Sequence, residues 1–114
     1  MAGFSMSHMQ PNLESLLEQL WAKHLASITG RISLLRQSQE QLSDCHSNPA
    51  LRNEAAATAH KLAGVLGTFG LEEGTQLALF IEQQMESNEA PDPLELKHAI
   101  EALSQMVETR SLSH

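Results

Sequence analysis

His60 is set apart from the other five histidines of this chain by its surroundings. It lies in the stretch 55–70, Ala-Ala-Ala-Thr-Ala-His-Lys-Leu-Ala-Gly-Val-Leu-Gly-Thr-Phe-Gly. With an unperturbed pKa of about 6.5, neutral imidazole is a competent nucleophile near pH 7. Wound as a helix at about 100° per residue, the stretch places Leu51, Ala55, Thr58, Leu62, Val65 and Phe69 on one side, with Ala59 and Leu66 at the border. That side is the expected core face. The opposite side carries Asn53, Ala56, Ala57, His60, Ala63, Gly64 and Gly67. An exposed helix face normally carries Glu, Lys, Gln or Arg, whereas this one is reduced to small residues around one histidine. Two glycines inside a helix cost roughly 1 kcal/mol each relative to alanine. Close approach of another body to His60 would offset that cost.

His60-Lys61-Leu62-Ala63-Gly64, followed by Gly67 and Gly70, resembles the signature of histidine-containing phosphotransfer (HPt) domains. That signature is a histidine, an apolar residue two later, a glycine four later and small residues beyond. The likeness is strongest over 59–70 and holds, as a helix pattern, over 13–107. It implies that His60 accepts a phosphoryl group from a receiver-domain aspartate and passes it on. It also implies that Ala56, Ala57, Ala63, Gly64 and Gly67 form a docking floor for that receiver. The expected partners are a response-regulator receiver domain, a hybrid histidine kinase, or both. Mg²⁺ is expected in the partner, and no cofactor or metal in this chain. Such a chain is a carrier rather than a self-sufficient enzyme, and it is expected to be a monomer.

In one respect the chain departs from the family pattern. Many HPt domains carry a lysine three residues after the histidine, where this chain has Ala63. Lys61 is the nearest base, about 100° round the helix. It reads either as a flanking phosphate contact or as a solvated surface lysine.

The remaining elements must hold that helix. Leu13, Leu17, Leu20, His24, Ile28, Ile32, Leu35 and Leu42 recur at helical spacing after Pro11 and Asn12. They predict one long amphipathic helix with a bend at Gly30 or near Leu20-Trp21, or two helices end to end. Relatives in the family place a short capping helix there. Trp21 is expected to lid one end of the core, and His24 to be partly buried. A turn over 44–49 leads to Asn48 and Pro49, the N-cap and first residue of the His60 helix. Gly70 suits the left-handed position after its end. Leu71, Leu77, Ala78, Ile81 and Met85 mark a third helix, widened by Leu79 and Phe80. After a polar loop over 87–93, Asp92-Pro93-Leu94-Glu95 resembles a capping box. Leu96, Ala99, Ile100, Leu103 and Val107 then point inward on a last helix. The architecture expected is an all-α, antiparallel (up-down) four-helix bundle with a short capping helix or a kinked first helix. Its body is expected over 11–110, with 1–10 as a disordered tail or cloning scar and 111–114 frayed.

Composition narrows the alternatives. The 114 residues suit one domain, and 41% apolar content argues against disorder. The net charge is −7, and Lys23, Arg31, Arg36, Arg52, Lys61, Lys97 and Arg110 form no basic stripe, which argues against nucleic acid. The single Cys45 allows no internal disulfide and fits a reducing cytosol. No apolar run approaches the ~20 residues of a membrane span, and no secretion signal opens the sequence, so a cytoplasmic location is expected. Glu95-Leu96-Lys97-His98 is a single Glu-x-x-His, where a di-iron bundle needs two. Gly67-Thr68-Phe69-Gly70 lacks the Gly-Lys-Ser/Thr of a nucleotide loop. Two rivals stand beside the carrier: a helical interaction module, including a degenerate HPt domain, and a metal-binding bundle using Glu95 and His98.

Overall fold

The structure is a computed structural model. It describes the backbone of residues 2–44, 48–87 and 92–112, and the side chains of 13–41, 48–87 and 92–112. Among these there are four α-helices and no strand: α1 (Ala2–Asp44), α2 (Pro49–Thr68), α3 (Glu72–Glu86) and α4 (Pro93–Leu112). Each packs against two others: α1 on α2 and α4, α3 on α2 and α4. The architecture is an antiparallel four-helix bundle. Cys45, Leu42 as a core residue, His8 and His114 lie outside the described side chains.

Local chemistry sets the boundaries. Asn48 is the N-cap of α2; its side chain accepts from the Leu51 N–H at 3.1 Å, and Pro49 stands where no N–H is needed. Asp92 starts α4 in the same way, its carboxylate accepting from Leu94 at 2.9 Å and Glu95 at 3.3 Å. At the end of α2 the Leu71 N–H reaches back to the Leu66 carbonyl and the Gly70 N–H to that of Gly67, both at 3.0 Å. Gly70, at φ +73°, is the residue that makes this reversal, in a region costly for any residue with a Cβ.

The core runs through Ile28, Ile32, Leu35, Leu62, Leu66, Ile81 and Met85. It is completed by Leu96, Ala99, Ile100, Leu103 and Val107, the whole stripe expected of the last helix. Trp21 does lid one end: its ring meets Phe69 edge-on at 5.1 Å, lies 4.8 Å from the Arg110 guanidinium, and donates from Nε1 to Ser111 Oγ at 3.1 Å. Ser111 is therefore anchored and helical, where the sequence suggests fraying; residues 113–114 lie outside the described ones.

The first helix differs most from expectation. It is one element of 43 residues without a bend, and it includes residues 2–10. Gly30 is exposed with open space around it, so nothing displaces the hydrogen-bond ladder there. At 1.5 Å per residue α1 is about 64 Å long, matching the 65 Å long axis of the molecule. α2 and α4, with 20 residues each, reach about 30 Å. The N-terminal part of α1 therefore overhangs the bundle. Leu13 and Leu17 are exposed rather than inward because, among the described residues, no other helix extends alongside them, and Leu20 is half-buried. His24 is exposed too, although its ring lies edge-on to Phe69 at 6.4 Å.

Candidate functional site

His60 is the twelfth residue of α2's 20, far from the fraying ends. Its side chain is 71% exposed. Nδ1 faces Glu82 of α3, at 3.1 Å from one carboxylate oxygen and 3.2 Å from the other. The Glu82 side chain is only 18% exposed, so this carboxylate is set into the α2–α3 seam rather than waving in solvent. An ionised carboxylate can only accept, so Nδ1 must carry the hydrogen. In the neutral ring the lone pair is then on Nε2, the nitrogen not engaged by α3.

Three contacts fix the register that makes this pair. At one end is the Gly70 reversal. Near it, Thr75 Oγ1 donates to the Ala63 carbonyl at 3.3 Å, and α3 approaches so closely that a Cβ on Gly74 would stand 2.9 Å from Met106 Sδ and 3.0 Å from Leu66 Cδ1. At the far end, Arg52 of α2 donates to the carbonyls of Met85 and Gln84, each at 3.1 Å, and of Ser87. One guanidinium thus reaches three carbonyls at the end of α3 that no further helical turn would satisfy. His60 and Glu82 lie between these fixed points.

Ala57, Lys61, Gly64 and Gly67 are exposed with His60, as the helical projection expects. Ala56 and Ala63 are not: both are buried members of the core cluster. The physical reason is that α2 is flanked by both α1 and α3, so its buried arc is wider than a single apolar stripe. α3 lies against the side bearing Ala56 and Ala63, and alanine there lets the helices approach. The exposed part of the site is a shallow groove between α2 and α3, lined by Asn53, Ala57, His60, Lys61, Glu82 and Glu86, with Ala56 at its base. Gly64 meets nothing within 4 Å of where its Cβ would stand, and Gly67 only Thr75 Oγ1 at an ordinary 3.5 Å. Neither glycine is demanded by packing among the described residues.

Sequence reading missed Glu82 and Arg52. The signal was present: α2 and α3 form a hairpin about Gly70-Leu71, and folding the sequence there brings His60 opposite Glu82 and Gly67 opposite Thr75. Among the described residues no group of three or more His, Cys, Asp or Glu side chains could hold a metal ion, and Glu95 and His98 are exposed on α4. Nor is any helix among the described residues long and apolar enough to cross a membrane.

A model of the Hpt domain family matches residues 12–109, and the chain belongs to that family. Membership puts it among histidine phosphotransfer carriers of phosphorelays. Comparison with curated proteins and with solved structures found no match.

Proposed function

We propose that the chain carries a phosphoryl group on His60, taking it from a receiver-domain aspartate and returning it to one. The observation that carries this reading is the His60–Glu82 pair: an exposed imidazole whose Nδ1–H is held by a set-in carboxylate, leaving Nε2 as the nucleophile. In the transfer, the Nε2 lone pair attacks phosphorus in line, the bond from phosphorus to the aspartyl oxygen breaks, and the aspartate leaves as a carboxylate. The ring, still protonated at Nδ1, becomes a phosphorylated imidazolium. Glu82 then faces a positive ring, so its interaction strengthens as the reaction proceeds, which is the condition for catalysis rather than mere binding. The return step runs along the same path.

Ala57, Gly64 and Gly67 serve as the approach surface, with Lys61 at its flank. Gly64 supports this best, because the chain itself gives no packing reason for a glycine there. The partner contributes the aspartate and Mg²⁺, which neutralises charge on the transferring phosphoryl oxygens. This chain acts in the cytoplasm with no ATP site of its own.

The test is transfer from a phosphorylated receiver domain to the wild type, His60→Gln, Glu82→Ala and Gly64→Glu. The wild type should take up acid-labile, alkali-stable label, and His60→Gln none. Glu82→Ala should label roughly tenfold more slowly, about 1.4 kcal/mol of barrier. Gly64→Glu should keep its circular dichroism and lose transfer. Label that survives His60→Gln, or a wild type that none of several receivers can label, sinks the proposal and favours an interaction module.

A further inference from the structure

Leu79 is the one exposed large apolar side chain, among the described residues, that does not lie near a helix end or on the α1 overhang. It is the eighth residue of α3's 15 and 36% exposed. Single exposed leucines are common, so its place relative to His60 is what counts. Across the α2–α3 hairpin His60 lies opposite Glu82 and Gly67 opposite Thr75. Leu79, between Thr75 and Glu82 on α3, is therefore level with Ala63 and Gly64, between Gly67 and His60 on α2. Residues three or four apart share a helix face, so Leu79 shares the α2-facing border of α3 with both Thr75 and Glu82. Its exposure puts it on the outer side of that seam. Beside it on α2 nothing lies within 4 Å of where a Cβ on Gly64 would stand.

The other flank of α2 differs. α1 runs antiparallel to α2, with Trp21 and His24 both against Phe69. Ser27, Gly30 and Arg31, a few residues further along α1, come level with the same part of α2. Ser27 and Gly30 are exposed, Arg31 is half-buried, and none is apolar beyond a glycine.

We propose that Leu79 is the apolar anchor of the receiver interface, so that the receiver sits across the α2–α3 seam rather than the α1–α2 seam. The inference rests on the phosphotransfer reading, in which the partner's aspartyl phosphate must reach Nε2 of His60. An interface of about 800 Å² per partner is a disc of roughly 16 Å radius, and packed helices lie about 8–10 Å apart. A receiver seated on His60 therefore extends over a helix beside α2, and α3 is the one that offers apolar surface. Binding energy concentrates in a few side chains packed into complementary hollows and ringed by polar contacts. An apolar side chain of the receiver lies over Gly64 and against Leu79, and exposed Lys61 and Glu86 belong to the rim. The seam is already fastened by Arg52 and by the Gly70 reversal, so little ordering is needed when the receiver arrives.

The experiment follows transfer from phosphorylated receiver domains to the full chain as receiver concentration is varied. Leu79→Glu should weaken apparent receiver affinity by about tenfold or more, roughly 1.4 kcal/mol, with the rate at saturation unchanged. Leu79→Met, apolar and of similar volume, should restore most of it. Ser27→Glu places the same charge on the opposite flank and should leave affinity as it was. Labelling of His60 by phosphoramidate, a small donor that needs no docking surface, should be equal in all four proteins, as should their circular dichroism. Should Leu79→Glu fail to fold, Leu79→Ser decides on the same ranking. Affinity lost equally in Leu79→Glu and Ser27→Glu, or only in Ser27→Glu, overturns the proposal. So does a loss in Leu79→Met as deep as in Leu79→Glu, or a loss of phosphoramidate labelling in Leu79→Glu, which would place the damage at His60 itself. A wild type labelled by receivers, with every variant alike, removes the anchor and leaves the phosphotransfer reading standing. A wild type that no receiver labels removes both.

Discussion

The α2–α3 hairpin and the α1 helix are both rich in Leu and Ala, yet they are held in different ways. The hairpin is fastened at both ends, by the Gly70 reversal and by Arg52 on the last carbonyls of α3, with the His60–Glu82 pair between. α1 is fastened at side-chain contacts with α4: Trp21 with Ser111, Glu18 with Arg110 at 2.8 Å and Arg36 with Glu101 at 2.8 Å. In its first part, among the described side chains, Leu13, Leu16 and Leu17 are exposed. The contrast suits the task proposed for His60. A nucleophile that must meet a phosphorus atom in line gains from a rigid mount, since misplacement by an ångström is costly. A helix that serves only to complete the core, or to reach another molecule, does not need one.

The largest test of this contrast pairs two leucines. Leu62, fully buried in the hairpin, should cost about 2–5 kcal/mol when changed to Ala. Leu16→Ala, on the overhang, should stay within about 0.5 kcal/mol in the monomer. Urea unfolding of each variant reads both numbers. A comparable loss from both would mean that the overhang belongs to the cooperative fold, and the comparison would fail.

Arg52→Ala comes next. It removes a charged donor from three carbonyls at the end of α3, and hydrogen bonds to charged groups contribute about 1.5–3 kcal/mol. Stability should fall by about that range, and hydrogen exchange should rise in the last turn of α3 before it rises elsewhere. Exchange that rises evenly over all four helices would show that Arg52 stabilises the bundle as a whole rather than clamping one seam.

How much of this was legible in the sequence depended on whether a signal belonged to one helix or to two. The caps at Asn48 and Asp92, the left-handed Gly70 and the inward stripe of α4 are local, and the structure has them where the sequence puts them. The exposure of His60, Ala57, Gly64 and Gly67 was equally a property of one helix. Ala56 and Ala63 were not legible, because an alanine left bare for a partner and an alanine shaved for a neighbouring helix are the same residue. The neighbour, α3, is known only once the hairpin is folded. Glu82 required that step too: its place beside Ile81 on the border of an apolar stripe was a hint, and its reflection onto His60 across the turn gives it meaning. The length of α1 was hidden for another reason. Its leucine periodicity runs on through Leu13, and nothing in that repeat says where the other three helices stop.

The smallest effect separates the two fastenings by pH. Glu101 of α4 has its carboxyl held below the ordinary carboxylate value, chiefly by the hydrogen bond from Arg36 of α1 and secondarily by charge; slight burial opposes this. Because the folded pKa is the lower one, the pair's contribution is present above the unfolded value of roughly pH 4 and is lost as pH falls through the folded value. Both side chains are well exposed, so salt and solvent limit the contribution to about 0.5 kcal/mol. Glu101→Gln should therefore lower stability slightly at pH 7, and the deficit should close in acid below roughly pH 4. It should also shrink with salt at neutral pH. The donations from Arg52 to the carbonyls of Met85 and Gln84 involve no titrating acceptor, so the part of the Arg52→Ala loss that they carry should persist in acid. If the Arg52→Ala deficit closed in acid as that of Glu101→Gln does, the seam at α3 would owe its strength to carboxylates, and the distinction between the two halves of the bundle would disappear.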